Sequence, residues 1–341
     1  MNRRVEPTPG ETTEPTRLAR RLSPVDVMTV AFIFTNIAFI ASARTAIEEP
    51  LRLIGGYLGC LAIASAVIAI GGPERYAQPR GGLARALRWF QGLFRRGYPL
   101  TLFLYFFVEV TRFDTALFKE NLDPFFASLD ERLFGFVPSW TLMIEHPSLF
   151  LSELLSGAYV LYYASIGVLA IWLYVKDRPA MAEYVFVVML LVYAACLTYI
   201  VLPVVGGRYD PTIRELTETY RYGPFTRLMS FIYRRSAHEG AAFPSTHATV
   251  SLVVALFSLR RARPLAPLFC VNAALILVAT IYCGYHYVVD VLAALVYVAA
   301  LYPAGLRLYA ALGDRESRLV DTIDDSRGGI DEAGSTITTY R

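Results

Sequence analysis

The sequence predicts an all-α fold, a polytopic membrane bundle of about eight transmembrane helices. Three observations predict it. The 341 residues are 55% hydrophobic and only 18% charged, and the mean hydropathy is +0.43, too apolar for an ordinary soluble domain. The apolar residues come in long runs of about the length needed to cross a bilayer. Arg and Lys gather in short segments beside alternate ends of those runs, as the positive-inside rule requires. The net charge of +3 says less than this distribution. The basic residues form no aromatic-interleaved patch, so nucleic acid is not an expected partner. Cys60, Cys196, Cys270 and Cys283 lie in or at the ends of apolar runs without metal-ligand spacing, and read as packing residues.

Residues 1–24 are polar and rich in Pro, Thr, Glu and Arg, and read as a disordered cytoplasmic N-terminus. The first apolar run starts after them and is followed by charges, not by a small-residue cleavage site, so no cleavable signal peptide is expected. Residues 25–97 hold two spans, Val25–Ala43 and Leu53–Ile70, then a basic loop with Arg75, Arg80, Arg85, Arg88, Arg95 and Arg96. Within that loop Leu83–Phe94 reads as an amphipathic helix on the membrane surface. Residues 98–309 form the main membrane domain. Its first span, Tyr98–Thr111, is short and carries Glu109 near its far end. Residues 112–153 are acidic and aromatic, with Phe125, Phe126, Phe134, Phe136 and Trp140, and read as an interfacial cap. Spans follow at Leu154–Val175 and Tyr184–Leu202, joined by a tight Lys-Asp-Arg-Pro turn. A polar loop then carries Gly-Gly-Arg-Tyr, ending at Tyr209, and Arg234 and Arg235. The last three spans start near Pro244, at Leu265 and at Tyr287. Residues 310–341 read as a disordered cytoplasmic tail.

Four basic segments place one face of this bundle in the cytoplasm, with both termini. His247 opens one span and His286 closes the next, so both lie on the opposite, extracytoplasmic face, together with the loop holding Arg208. A single histidine at a span end is ordinarily an interfacial polar residue. Two on one face, either side of one apolar hairpin, can meet. Asp290, four residues after His286, shares its face in a helix and can hold one imidazole nitrogen while the other points outward. Such a set suits a nucleophile with a general acid/base. Ser245, Thr246 and His247 sit where a span begins, and a helix N-terminus favours an anion. Arg208 offers a fixed, always-charged fork for phosphate. Together these residues suit phosphoryl transfer. His146 and His238 have no motif around them and read as loop residues.

The sequence resembles the type 2 phosphatidic acid phosphatase superfamily. Phe-Pro-Ser-Thr-His at 243–247 is similar to its second motif, and His286-Tyr-Val-Val-Asp290 to its third. The resemblance implies a six-helix lipid-phosphatase-like core in which His286 is the nucleophile, His247 the general acid/base and Asp290 the orienter. Arg208, 39 positions before His247, matches the first-motif Arg by spacing. Two cations of the family's phosphatases are replaced, by Val201 and Thr280. With Tyr282 and Leu-Asp-Glu-Arg-Leu-Phe-Gly at 129–135, the pattern is similar to the inositol phosphorylceramide synthase branch, which implies head-group transfer from a phospholipid to a lipid alcohol. Tyr209 and Tyr282 join Arg208, Ser245 and Thr246 as candidate substrate-binding residues. Membrane lipids are the expected substrates, and no metal or cofactor is expected. The rivals are a lipid phosphate phosphatase with water as acceptor, and a transporter. A transporter calls for polar residues at the midplane of broken helices, whereas the ionisable groups here cluster at span ends.

Overall fold

The structure is a computed structural model that describes residues 22–70, 82–212, 215, 223–236 and 240–332, the side chains of 234–236 and 314–332 excepted. Among the described residues it is all-helical. The helices are α1 (Pro24–Ser42), α2 (Pro50–Ile70), α3 (Gly82–Val110), α4 (Asp123–Phe134), α5 (Pro138–Glu145), α6 (Leu149–Lys176), α7 (Arg178–Val201), α8 (Pro224–Ser236), α9 (Thr246–Arg261), α10 (Ala266–Tyr282) and α11 (Val288–Glu332). Each of the eight expected spans falls on a helix. Five of these helices, α1, α2, α6, α7 and the first part of α11, are long and apolar enough to cross a membrane, and α10 is a shorter apolar helix. The expected disordered N-terminus lies almost wholly outside the described residues.

α7 is the axis. Val185, Phe186, Val187, Val188 and Met189 are all buried in succession, which marks a helix apolar on every side and surrounded by others. α3, α11, α6, α9 and α1 pack around it. α9 and α10 form a hairpin, and α10 also packs on α6. Where this hairpin turns, Arg260 and Arg261 approach Glu183 at 3.7 and 3.9 Å, and Arg261 also approaches Asp177 at 3.6 Å. Arg96 and Arg178 both stack on Tyr174. Of the basic ends expected on one face, the described ones, Arg96, Arg178, Arg260 and Arg261, converge at the end of the bundle remote from the histidines. The N-terminal arginines and Arg75 and Arg80 lie outside the described residues.

Two expectations are corrected. The amphipathic segment at 83–94 and the span from Tyr98 are one continuous helix, α3, with Pro99 inside it. Arg95, placed by the sequence in a basic loop, is buried in a helix: its guanidinium donates to both oxygens of Asp26, and the Tyr98 hydroxyl donates to Asp26 Oδ1 at 2.9 Å. A carboxylate fully buried in the first turn of α1 fixes a cation on α3, and that pairing holds the segment in the bundle. The second correction concerns the tail. α11 continues as helix to Glu332, past Gly313 where the tail was expected to lose structure, through residues 314–327 that lack Pro and Gly.

Candidate active site

The two histidines lie at one end of the bundle, each placed by a helix start. α9 begins after Ser245, whose hydroxyl accepts from Ala248 N at 3.3 Å, an ordinary N-cap. This puts His247 in the first turn. α10 ends at Tyr282, and Gly284 follows at φ +70°, the left-handed conformation that closes helices. There Tyr285 N and His286 N both donate to the Thr280 carbonyl, at 3.0 and 2.9 Å. His286 thus sits in a tight turn two residues before α11, not within a helix as its spacing from Asp290 suggests.

Asp290 still reaches it. The carboxylate is fully buried in the first turn of α11. Its Oδ2 accepts from Tyr287 N at 2.9 Å and lies 3.4 Å from His286 Nδ1. The Ala242 carbonyl lies 3.1 Å from the same nitrogen. Nδ1 therefore faces only acceptors and carries the proton, which leaves the Nε2 lone pair pointing away. That Nε2 faces His247 Nδ1 at 3.4 Å. The backbone locks this arrangement, since Ser245 N donates to the Asp290 carbonyl at 3.2 Å.

His247 is enclosed by aromatic rings. Tyr159, Tyr162 and Tyr163 come from one face of α6, at spacings of three and four residues, with ring centroids 5.1, 5.2 and 6.2 Å from the imidazole. Phe107 of α3 adds a fourth at 6.4 Å. The Tyr163 hydroxyl is 3.5 Å from His247 Nε2. Sequence reasoning missed these tyrosines. Their spacing was visible, but only the fold turns that face toward His247. Beside this ring an apolar cavity of about 500 Å3 lies between α3, α6 and α8, bordered by Leu104, Phe107, Tyr163, Ile232 and His247.

Arg208 is brought to the same end. Gly206, at φ +90°, and Gly207 press against the Gly284–Tyr285 backbone: a Cβ on Gly206 would lie 2.3 Å from the Tyr285 carbonyl oxygen. This close approach sets the Arg208 guanidinium over the Tyr233 and Tyr285 rings, at 5.2 and 5.8 Å. Among the other candidates, Thr246 lines the cavity, and Ser245 serves as the helix cap. Tyr209 is 41% exposed. Tyr282 is turned away, its hydroxyl donating to the His146 carbonyl at 3.1 Å and accepting from Ser148 N at 3.2 Å. Glu109 pairs with Arg112 at 3.2 Å. His238 and the side chains of Arg234 and Arg235 lie outside the described residues. Neither replaced cation position offers charge: Val201 is exposed at the end of α7, and the buried Thr280 donates to Leu277 at 2.9 Å.

The arrangement offers what a displacement at an electrophile needs: an oriented imidazole nitrogen with a free lone pair, a second imidazole able to move a proton, a nearby cation, and an adjoining apolar cavity. A family model described as "PAP2 superfamily" matches residues 125–304. No curated protein and no solved structure matches the chain.

Proposed function

The chain belongs to the PAP2 superfamily, and from that premise we propose that it transfers a phosphorylated head group from a phospholipid to a lipid alcohol through a phospho-histidine. Membership supports lipid phosphatase or phosphotransferase chemistry in general. One observation carries the finer reading: the facing nitrogens of His286 and His247, 3.4 Å apart, adjoin an apolar cavity lined by His247.

In the first half-reaction the His286 Nε2 lone pair attacks phosphorus. The phosphorus–oxygen bond to the departing lipid alcohol breaks, its electron pair stays on that oxygen, and His247 supplies the proton. In the second half the acceptor hydroxyl gives its proton to His247, its oxygen attacks phosphorus, and the phosphorus–nitrogen bond breaks back to Nε2. Asp290 and the Ala242 carbonyl hold Nδ1–H throughout. Arg208 and the first-turn amides of α9 suit the equatorial oxygens. Walls of Phe, Leu and Ile suit a hydrocarbon chain and exclude water, which favours an alcohol as acceptor. A phosphoinositol-like head group is the proposed cargo, and the site is proposed to face the extracytoplasmic leaflet.

Purified protein is mixed with phosphatidylinositol or phosphatidate bearing radioactive phosphate. The expected result is covalent label that is labile to acid and stable to base, absent in His286→Ala. Full turnover by His286→Ala refutes the assignment. Addition of a lipid alcohol should divert label into a new lipid; release of free phosphate from phosphatidate, or of inositol phosphate from phosphatidylinositol, would instead establish water as the acceptor. Gly167 lines the cavity, and a Cβ there meets nothing within 4 Å. Gly167→Phe should therefore project its ring into the cavity and raise KM, while Gly167→Ala leaves it unchanged.

A further inference from the structure

α4 buries one stripe, Asp123, Phe126, Ala127 and Asp130. The two ends of this stripe, seven residues apart and on the same face, are carboxylates with no exposed surface. Buried acids are costly unless hydrogen-bonded, so their partners reveal what they hold. Asp123 accepts from Val205 N at 2.9 Å, from Gly206 N at 2.8 Å and from the Tyr287 hydroxyl at 3.1 Å. Asp130 accepts from Val288 N at 2.8 Å and Val289 N at 3.0 Å. The first set grips the strap that leads to Arg208. The second satisfies the opening amides of α11, one residue before Asp290 and two after His286. Tyr287, which separates His286 from α11, is tied to both sides: its hydroxyl to Asp123, its amide to Asp290.

From these contacts we infer that α4 is a clamp and that Asp123 and Asp130 are positioning residues, setting the Arg208 strap and the His286–Asp290 turn in register with each other. The inference rests on the phospho-histidine reading for its link to rate, but the clamp itself can be measured without turnover. Aromatic contacts also tie these loops to the bundle, Tyr285 to Tyr159 and Tyr233, and Tyr287 to Trp140, but the two buried carboxylates of α4 hold both loops from one helix. The opposite face of α4 exposes Phe125, Leu133 and Phe134, so the element that sets the site's geometry also presents an apolar surface to its surroundings.

The test uses the full-length protein in detergent and the variants Asp123→Asn, Asp130→Asn and Tyr287→Phe. Hydrogen exchange by mass spectrometry should quicken at residues 203–209 in Asp123→Asn and at 286–292 in Asp130→Asn, with the rest of the bundle unchanged. On whichever radioactive phospholipid the wild type turns over, kcat should fall on the order of 100-fold, the loss that a misplacement of about 1 Å produces, while KM stays within threefold. Tyr287→Phe keeps both carboxylates and should lie between, which covers the case in which an Asn variant fails to fold. Exchange unchanged in both loops, or exchange quickened with kcat at the wild-type value, overturns the inference. If the wild type turns over neither phospholipid, the functional reading fails, and the exchange rates alone decide whether the clamp exists.

Discussion

Asp290→Asn removes the charge on the residue proposed to orient His286. The wild-type Oδ2 already makes both contacts, with Tyr287 N and His286 Nδ1, and Oδ1 is buried without a hydrogen-bond partner among the described residues. An asparagine with its oxygen at the Oδ2 position keeps both contacts and loses the negative charge. Its amide N–H groups take the partnerless Oδ1 position, a stability cost that the unfolding control reads separately. When phosphorus is on Nε2 and Nδ1 keeps its proton, the imidazole ring is cationic. Unit charges 3.4 Å apart interact by roughly 5 kcal/mol at an effective dielectric constant of about 20. This sets a ceiling of between three and four powers of ten in rate. The Ala242 carbonyl, 3.1 Å from Nδ1, preserves the ring's orientation in the variant, so the expected loss lies below that ceiling, about 100- to 1,000-fold in kcat. The assay is single-turnover formation of the phospho-enzyme from radioactive phospholipid, with thermal unfolding as the control for integrity. Turnover within about threefold of wild type would show that Asp290 does not act through its charge, and the reasoning would fail.

Three further outcomes are expected. Arg95→Met leaves Asp26 buried and uncompensated and should cost roughly 3–5 kcal/mol, read as a lower unfolding temperature in detergent; Asp26→Leu added to it should restore most of that loss. Gly206→Ala combines a left-handed φ with a Cβ 2.3 Å from the Tyr285 carbonyl oxygen, so it should lose roughly 1–3 kcal/mol and most turnover; unchanged activity would mean that the Arg208 strap need not touch the nucleophile's turn. Burial pushes the Asp114 carboxyl up to about 7. A carboxyl raised in the folded state stabilises fully below its ordinary value near 4 and loses that contribution as pH rises to about 7. Asp114→Asn should flatten the profile of unfolding temperature across that window and exceed wild type at pH 8; parallel profiles would refute it.

Much of the helical plan was legible because apolar runs of span length leave few alternatives. The meeting of His247 and His286 was legible because a hairpin between them returns the chain to one end. The supports were not. Asp26 with Arg95 and Asp130 with Val288 join residues 69 and 158 positions apart, and no local pattern encodes such partners. Tyr159, Tyr162 and Tyr163 show helical spacing, but nothing in it says which neighbour that face meets. The geometry of the His286 turn also escaped. Four-residue spacing suggested a helical pair, whereas the contact comes from a turn closed by Gly284 and capped by Asp290.

The apolar cavity reaches the reacting centre from the His247 side, and that has a kinetic consequence. If the proposed head-group transfer is right and both lipids lie in this cavity, the departing diacylglycerol-like product must leave before the incoming alcohol can enter. On that proposal double-displacement kinetics with parallel reciprocal plots are expected, and an excess of the second lipid should inhibit by occupying the cavity ahead of the donor.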